Sequence, residues 1–221
     1  MKALCLPLLL VLFAATQTGC VTATVQEVRQ ADTGIKDSES IVVLGRKHKP
    51  NGAETEENFI SCVGRKLSGS ATEFGVMPEQ EFVDAMFPWF EPRTAPLRTK
   101  DLPKLIQEPL LANRLSEIGI RYLVWIDGST RRVDSTGSMA CTVATTGAAC
   151  FGFLSWEDDS SYEASIWDIQ KGNNVGKISS DAAGTSFVPA VIVPVPFIAR
   201  VKSSACASMS KRLRIFIKDE T

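Results

Sequence analysis

The cysteines are the residues of this chain best suited to covalent chemistry. The sequence holds six, and the last four along the chain are Cys62, Cys141, Cys150 and Cys206. An even number in an exported chain is typical of two disulfides, which three pairings would satisfy. None of them has the C-x-x-C spacing of zinc or thioredoxin-like redox sites. The spacing therefore predicts structural bridges rather than a metal or redox centre, and it leaves the pairing open.

Cys20 differs from these four because it closely follows an apolar leader. Lys2 precedes an uncharged run that extends to Ala15. This run has the length of a secretory signal and is too short for a membrane-spanning helix. Pro7 would also strain a permanent spanning helix. We therefore expect residues 1–19 to be a signal peptide.

The residues around Cys20 resemble the bacterial lipobox. In that motif a small pair, here Thr18 and Gly19, precedes a cysteine that is lipidated with fatty-acyl chains such as palmitate and becomes the new N-terminus. Gln17 stands where the pattern prefers a Leu-like residue. The resemblance implies that Cys20 is a lipid anchor, and Val21, in place of the Asp that retains lipoproteins at the inner membrane, implies the outer membrane. The alternative is an ordinary secreted or soluble periplasmic protein.

Residues suited to acid–base or metal chemistry lack a supporting pattern. The single histidine, His48, lies in a basic stretch that is typical of a solvated loop. The chain contains neither the G-x-S-x-G of a nucleophile elbow nor the G-x-x-x-x-G-K of a phosphate loop. The acidic candidates are Glu157, Asp158, Asp159, Asp127 and Asp134.

These carboxylates favour structural roles. The three adjacent acids lack the spaced oxygen ligands and the glycine of a calcium loop, so a solvated turn is expected. Asp127 and Asp134 flank a basic stretch and are expected to pair with it. We therefore predict no catalytic residue, metal or cofactor, and a protein that is not an enzyme. The formal net charge of −1 gives no basic bias, so nucleic acid is not expected as a partner.

Hydrophobic patterning indicates the elements that carry these residues. Residues 20–39 are polar and predict a flexible tether. The run SIVVLG, residues 40–45, predicts a buried strand. A helix follows, with Phe59, Cys62, Val63 and Leu67 on one face, and a short strand and a second helix come next. Trp89 and Phe90 lie in a proline-rich loop that we expect to be pinned to the core.

The second half of the chain predicts a helix and strand through residues 110–127, a hairpin over residues 162–178 and a C-terminal helix. Between them lie a Gly/Ala/Cys-rich insertion (135–159) and an apolar, proline-rich crossover (187–199). Three prolines prevent the crossover from being a regular helix. We expect it to pack against the domain, the alternative being an exposed apolar patch for a partner.

This order of elements resembles a periplasmic α/β domain. The segments SIVVLG, FGVMPEQEF, LSEIGIRYLVWIDG and SIWDIQKGNNVGKI are similar to units of the curli-secretion lipoprotein, of peptidoglycan-synthase activator lipoproteins and of the amino-terminal domain of the Tol protein. The resemblance implies one α/β (α+β) domain at residues 40–221. It has a mixed central β-sheet with amphipathic helices packed on it, the first and last helices adjacent. It carries over no active site.

The resemblance also implies a disulfide pairing. If the first and last helices lie side by side, Cys62 and Cys206 on their inner faces come within bonding reach. Cys141 and Cys150 bracket a short span that can fold back as a hairpin. We therefore predict the bridges Cys62–Cys206 and Cys141–Cys150, the alternative being buried free thiols at Cys62 and Cys206.

Three functions are compatible with these patterns. The favoured one is a non-enzymatic outer-membrane lipoprotein that binds a periplasmic protein or envelope component. The second is a secreted hydrolase with an unrecognised site. The third is a secretion-channel subunit, which would need membrane hairpins. Its only candidate, residues 139–154, has eight residues between its cysteines and is rich in small side chains, so we rank it lowest.

Overall fold

A computed structural model describes residues 20–36, 38–46, 54–69, 74–91, 93–96, 99–145 and 147–219. Their strands are β1 (Val21–Arg29), β2 (Ser40–Gly45), β3 (Gly75–Met77), β4 (Ile120–Ala144), β5 (Gly147–Asp168) and β6 (Asn173–Pro194). Their α-helices are α1 (Glu57–Ser68), α2 (Glu79–Ala85), α3 (Leu102–Ile106), α4 (Pro109–Glu117) and α5 (Val201–Lys218), with a 3-10 turn at Thr99–Asp101. None of these described helices is both long and apolar enough to span a membrane.

The strands form one mixed sheet in the order β1-β6-β5-β4-β2-β3. β2 runs parallel to both of its neighbours, with Val42 beside Met77 on one side and Leu123 on the other. Its residues Ile41 to Leu44 are all buried, as expected for a parallel strand that is covered on both faces. The buried strand predicted from the apolar run is therefore present.

The remaining strands are antiparallel. Gly128 lies against Tyr162, whereas Gly137 lies against Phe153, so residue numbers fall along β5 as they rise along β4. The β5–β6 turn follows Asp168, and Gly172 adopts φ 66° there, a left-handed conformation that glycine adopts without steric cost. The predicted hairpin is thus present.

The chain divides into two compact units. The first comprises the described part of residues 1–22, Thr130–Asp159 and Ala182–Val201, and we call it the three-strand unit. The second comprises Ala23–Ser129, Ser160–Asp181 and the remaining C-terminal residues from Lys202 onward, and we call it the sandwich unit. Residues 40–221, which the sequence predicts to form one domain, contribute to both units.

Helices cover both faces of the sheet in the sandwich unit. On one face, α2, α3 and α4 pack on β2 and β4 through a buried cluster that includes Phe82, Leu102, Leu111 and Trp125. On the other face, Phe59 of α1 stacks on Tyr162 with ring centroids 3.5 Å apart. The mixed sheet with amphipathic helices packed on it confirms the predicted fold class.

Three sequence-based expectations differ from the structure. Residues 20–39 do not form only a flexible tether, because β1 occupies Val21–Arg29. Its polar Thr and Gln residues concealed a two-residue alternation in which Val21, Val25 and Glu27 are the less exposed positions. The insertion at 135–159 is not separate from the sheet, since β4 and β5 continue through it.

The third difference concerns the apolar crossover at 187–199. β6 continues to Pro194, and the side chains of Val191, Ile192 and Val193 are 79%, 58% and 64% exposed. The expectation that this segment packs against the domain is therefore wrong for its central residues. The alternative of an exposed apolar patch describes it better.

Candidate functional site

Cys20 occupies a defined place in the three-strand unit. Its carbonyl oxygen would lie 2.8 Å from a Cβ atom at Gly184 of β6, and Ala199 and Val201 pack at the same point. Among the cysteines that the structure describes, Cys20 is the free one, and it is exposed. Because β1 begins at Val21, very little chain separates the Cys20 thiol from the folded sheet.

An exposed apolar surface lies in the same unit. Phe151 and Phe153 are 55% and 48% exposed, and residues 191–193 are exposed to a similar degree. We call these five residues the apolar surface. A monomeric soluble protein rarely leaves so many large apolar side chains in water without a binding role.

The fold-back of β6 explains why residues 191–193 project. The N–H groups of Phe197 and Val195 donate to the carbonyls of Phe187 and Pro189 at 2.8 and 3.0 Å. The chain therefore reverses within residues 189–195, and Ile192 adopts φ 80° at the reversal. Residues 191–193 form the tip of this reversal, and we call them the aliphatic tip.

Aromatic rings support the fold-back from one side. The Phe187 ring stacks on Phe197 with centroids 4.6 Å apart and lies 6.4 Å from the ring of Phe153. Phe151 and Phe153 are separated by one residue of a strand and so project to the same face. The aromatic side chains hold the tip in place and also extend its apolar character along the strands.

The structure joins the cysteines in the pairing that the resemblance implied. Cys62 of α1 bonds Cys206 of α5 with Cα atoms 6.4 Å apart, so the first and last helices are adjacent. Cys141 bonds Cys150 across β4 and β5 with Cα atoms 4.0 Å apart. The short bridge lies in the three-strand unit, next to Phe151 in sequence, and it fastens β4 to β5, the strand that carries Phe151 and Phe153.

The main buried charge cluster lies at the β5–β6 turn and has a structural explanation. Asp168 is fully buried; one carboxylate oxygen accepts from the Arg121 guanidinium at 2.8 Å and the other from the Lys171 backbone N–H at 2.9 Å. Arg121 also lies 3.9 Å from Glu39. Both Asp168 oxygens thus have charged or backbone partners, so the group fastens the turn to β4 and offers no free acid or base.

Tyr122, which follows Arg121 in the chain, also has a shifted pKa because it is buried. Burial raises the pKa of the Tyr122 phenol above its ordinary value. The neutral hydroxyl donates to the carbonyl oxygen of Gly34 at 2.8 Å. Sequence patterning did not identify Asp168, Arg121 or Tyr122, because their partners are distant in the chain. Their mixture of charge with apolar neighbours was the only available signal.

The acidic candidates from the sequence are distributed rather than convergent. Asp158 pairs with Arg132 at 3.3 Å and accepts from the indole N–H of Trp156 at 3.1 Å. Asp127 pairs with Arg46, and Asp134 accepts from the N–H of Ser135 at 2.7 Å. Within the part of the chain that the structure describes, no cluster of side chains is arranged to hold a metal ion.

The two remaining candidates have different outcomes. Phe90 is buried, and Trp89 packs against the same core cluster, so the loop is pinned to the core as expected. His48 lies outside the described residues, as do residues 17–19 of the lipobox-like motif.

A groove in the sandwich unit lies between α1 and the short edge strand β3. It has a volume of about 330 Å³. Its lining is mainly apolar and includes Val43, Ile60, Val76 and Met77. Gly64 also borders it, and a Cβ atom there would meet nothing within 4 Å.

Comparisons with known proteins give no family. No protein-family model matches the chain, and no curated protein matches it. Among solved structures, a point variant of the PelC dodecamer from Paraburkholderia phytofirmans has 12% identity and a TM-score of 0.43, with 89% of this chain and 99% of that chain covered. A second PelC dodecamer from the same organism has 13% identity and a TM-score of 0.40, with 87% and 96% covered. Similarity at this level carries no argument about function.

Proposed function

We propose that this protein is an outer-membrane lipoprotein whose folded part acts in the periplasm as a non-enzymatic binding or assembly module. The observation that carries the proposal is the placement of Cys20. It is exposed and free, follows a signal-like leader, and directly precedes a strand of the sheet. A lipid on its sulfur would hold the three-strand unit at the membrane surface without a long linker.

The buried polar chemistry supports a binding role over catalysis. The charged groups that the structure buries are engaged with one another, as Asp168 and Arg121 are. A general acid or base needs a perturbed pKa and access to substrate. Tyr122 has the first but is buried at 0% exposure and donates to Gly34. The candidate surfaces are instead apolar, which suits recognition of a protein or envelope component.

Fractionation of the bacterial envelope tests the anchor. We expect the parent protein in the outer membrane and the Cys20→Ser variant either unprocessed or released from that fraction. Val21→Asp is the matched control, because the lipoprotein pattern predicts that an acid after the cysteine moves the protein to the inner membrane while leaving lipidation intact. A parent protein that carries no lipid on Cys20, together with a Cys20→Ser variant that fractionates like it, would exclude the anchor.

The groove between α1 and β3 is where we expect a protein partner to bind. Gly64→Trp would place a large side chain at its rim in open space, within a helix that tolerates the change. Crosslinking in the envelope should then lose its partner adduct, whereas Leu110→Ser, an exposed site in α4 away from the groove lining, should retain it. Equal adduct yields in both variants would exclude this groove.

A further inference from the structure

The apolar surface belongs to a stretch of chain without charge. Residues 135–156 of β4 and β5 contain no Asp, Glu, Lys, Arg or His, and neither do residues 182–199 of β6 and its fold-back. In the three-strand unit, the charged residues lie only at the two ends of these stretches. A charge in or near the hydrocarbon of a bilayer is costly. The absence of charged residues from both of these segments of the three-strand unit is typical of a surface that contacts lipid.

A lipid on Cys20 would place a membrane beside this surface. It lies against Gly184, whose sequence position is seven residues before Val191. At roughly 3.3 Å per strand residue, the aliphatic tip is about 23 Å from the anchor along β6. An acyl chain on Cys20 and the exposed side chains of the apolar surface can therefore enter the same bilayer face.

The pairing of β4 limits how the three-strand unit can be placed on a bilayer. Within the described chain, β2 pairs with β4 only up to Ile126, so the later residues of β4 present an open edge on that side. Unpaired backbone groups cannot enter the hydrocarbon region. A single copy consequently rests at the interface, with its apolar side chains inserted and its edges among the headgroups.

We propose that the apolar surface of the three-strand unit is a second membrane contact, which inserts Phe151, Phe153 and the aliphatic tip into the interfacial region of the bilayer that anchors Cys20. The occupant is a lipid surface. This inference rests on the proposed function for its location in the cell. It does not need the lipid on Cys20 in order to be measured.

Vesicle flotation of unlipidated protein tests the contact. The chain from residue 20 onward, with Cys20→Ser and exported behind a conventional signal peptide, should float with vesicles of phosphatidylethanolamine and phosphatidylglycerol. The triple variant Val191→Ser, Ile192→Ser and Val193→Ser should lower the vesicle-bound to free ratio by about tenfold or more, equivalent to roughly 1.4 kcal/mol. Leu110→Ser is the matched control, because Leu110 is 67% exposed in the sandwich unit, and it should leave the ratio unchanged.

Insertion depth provides a second readout that does not depend on affinity. Tryptophan at Ile192 should be quenched by lipids brominated in their acyl chains, whereas tryptophan at Thr142, which is also exposed but polar in the parent, should be quenched less. Absence of flotation, or equal flotation of the triple-serine and Leu110→Ser variants, would overturn the proposal. So would a dimer in solution that the triple variant dissociates, because a second copy would then occupy the surface. If Cys20 carries no lipid in cells while the unlipidated protein still floats with vesicles, only the proposed function is overturned.

Discussion

The two disulfides close loops of very different length. Removing each one separately therefore gives a quantitative test of how much it stabilises the fold. The bridge Cys62–Cys206 closes a loop with a sequence separation of 144 residues, and Cys141–Cys150 one of 9. In the chain-entropy model, a bridge destabilises the unfolded state by an amount that grows with the logarithm of loop length. The long bridge then contributes at most about 5 kcal/mol and the short one at most about 2.7 kcal/mol at 25 °C.

Paired alanine variants measure this difference. Cys62→Ala with Cys206→Ala should lower the free energy of unfolding by about 2 kcal/mol more than Cys141→Ala with Cys150→Ala does. Cys206 is fully buried, so the small cavity left by its sulfur adds to the loss at the long bridge.

The assay is urea denaturation, with both pairs built on a Cys20→Ser background so that no free thiol from Cys20 can exchange. Limited proteolysis should show the short-bridge variant cut between residues 141 and 150 while α1 and α5 stay intact. Equal losses from the two pairs, or a larger loss from the short bridge, would refute the argument that the long bridge ties the ends of the sandwich unit together.

Three further substitutions test the buried contacts. Asp168→Asn should lower the free energy of unfolding by about 3 kcal/mol in urea denaturation because it removes the nearer of the two carboxylates beside Arg121. Glu163→Gln, at a side chain that is 46% exposed, should change it by less than about 1 kcal/mol; similar losses would contradict the reasoning. Burial raises the pKa of Tyr122 from 10.0, so the unfolded chain releases this proton first and parent stability should fall as the pH rises above that value. Tyr122→Phe should lack that slope in denaturation curves taken at increasing pH, and an unchanged slope would reject the assignment. Gly128→Ala should cost about 2 kcal/mol or more in thermal unfolding, because φ is 146° there and the added Cβ meets the adjacent strand; a stable variant would show that the strand separation is not this tight.

The sequence was most informative where one local pattern decided the structure. The continuous apolar run at Ser40–Gly45 predicted burial on both faces, and it forms the buried strand β2. The spacing of Phe59, Val63 and Leu67 identified the buried face of α1. In each case the pattern and the packing depend on the same few neighbouring side chains.

The strands beyond Ser129 were harder to predict because their stabilising contacts are non-local. In the sequence, glycines 137 and 152, together with many Ala, Ser and Thr residues, indicated only an insertion. In the structure, each of these glycines packs closely on the backbone of the opposite strand. Close approach of two backbones requires small residues. The glycines that made this segment look irregular in the sequence are therefore what allows the strands to pair.

The candidate surfaces were also hard to predict, because they too depend on contacts between distant segments. The free Cys20 and the apolar composition of residues 187–199 were visible in the sequence, but their proximity was not. It depends on the pairing of β1 with β6, and β1 itself was hidden in a segment expected to be a tether. The Asp168 cluster was missed because Glu39, Arg121 and Asp168 come together only when three distant segments meet.

Lipidation of Cys20 can be measured from the intact mass of the protein purified from the outer-membrane fraction. We expect a chain that begins at Cys20 with the added mass of a lipid group, and an N-terminal peptide that carries this mass on the cysteine. A chain that begins at another residue, or one that begins at Cys20 with no added mass, would show that Cys20 is not a lipid anchor.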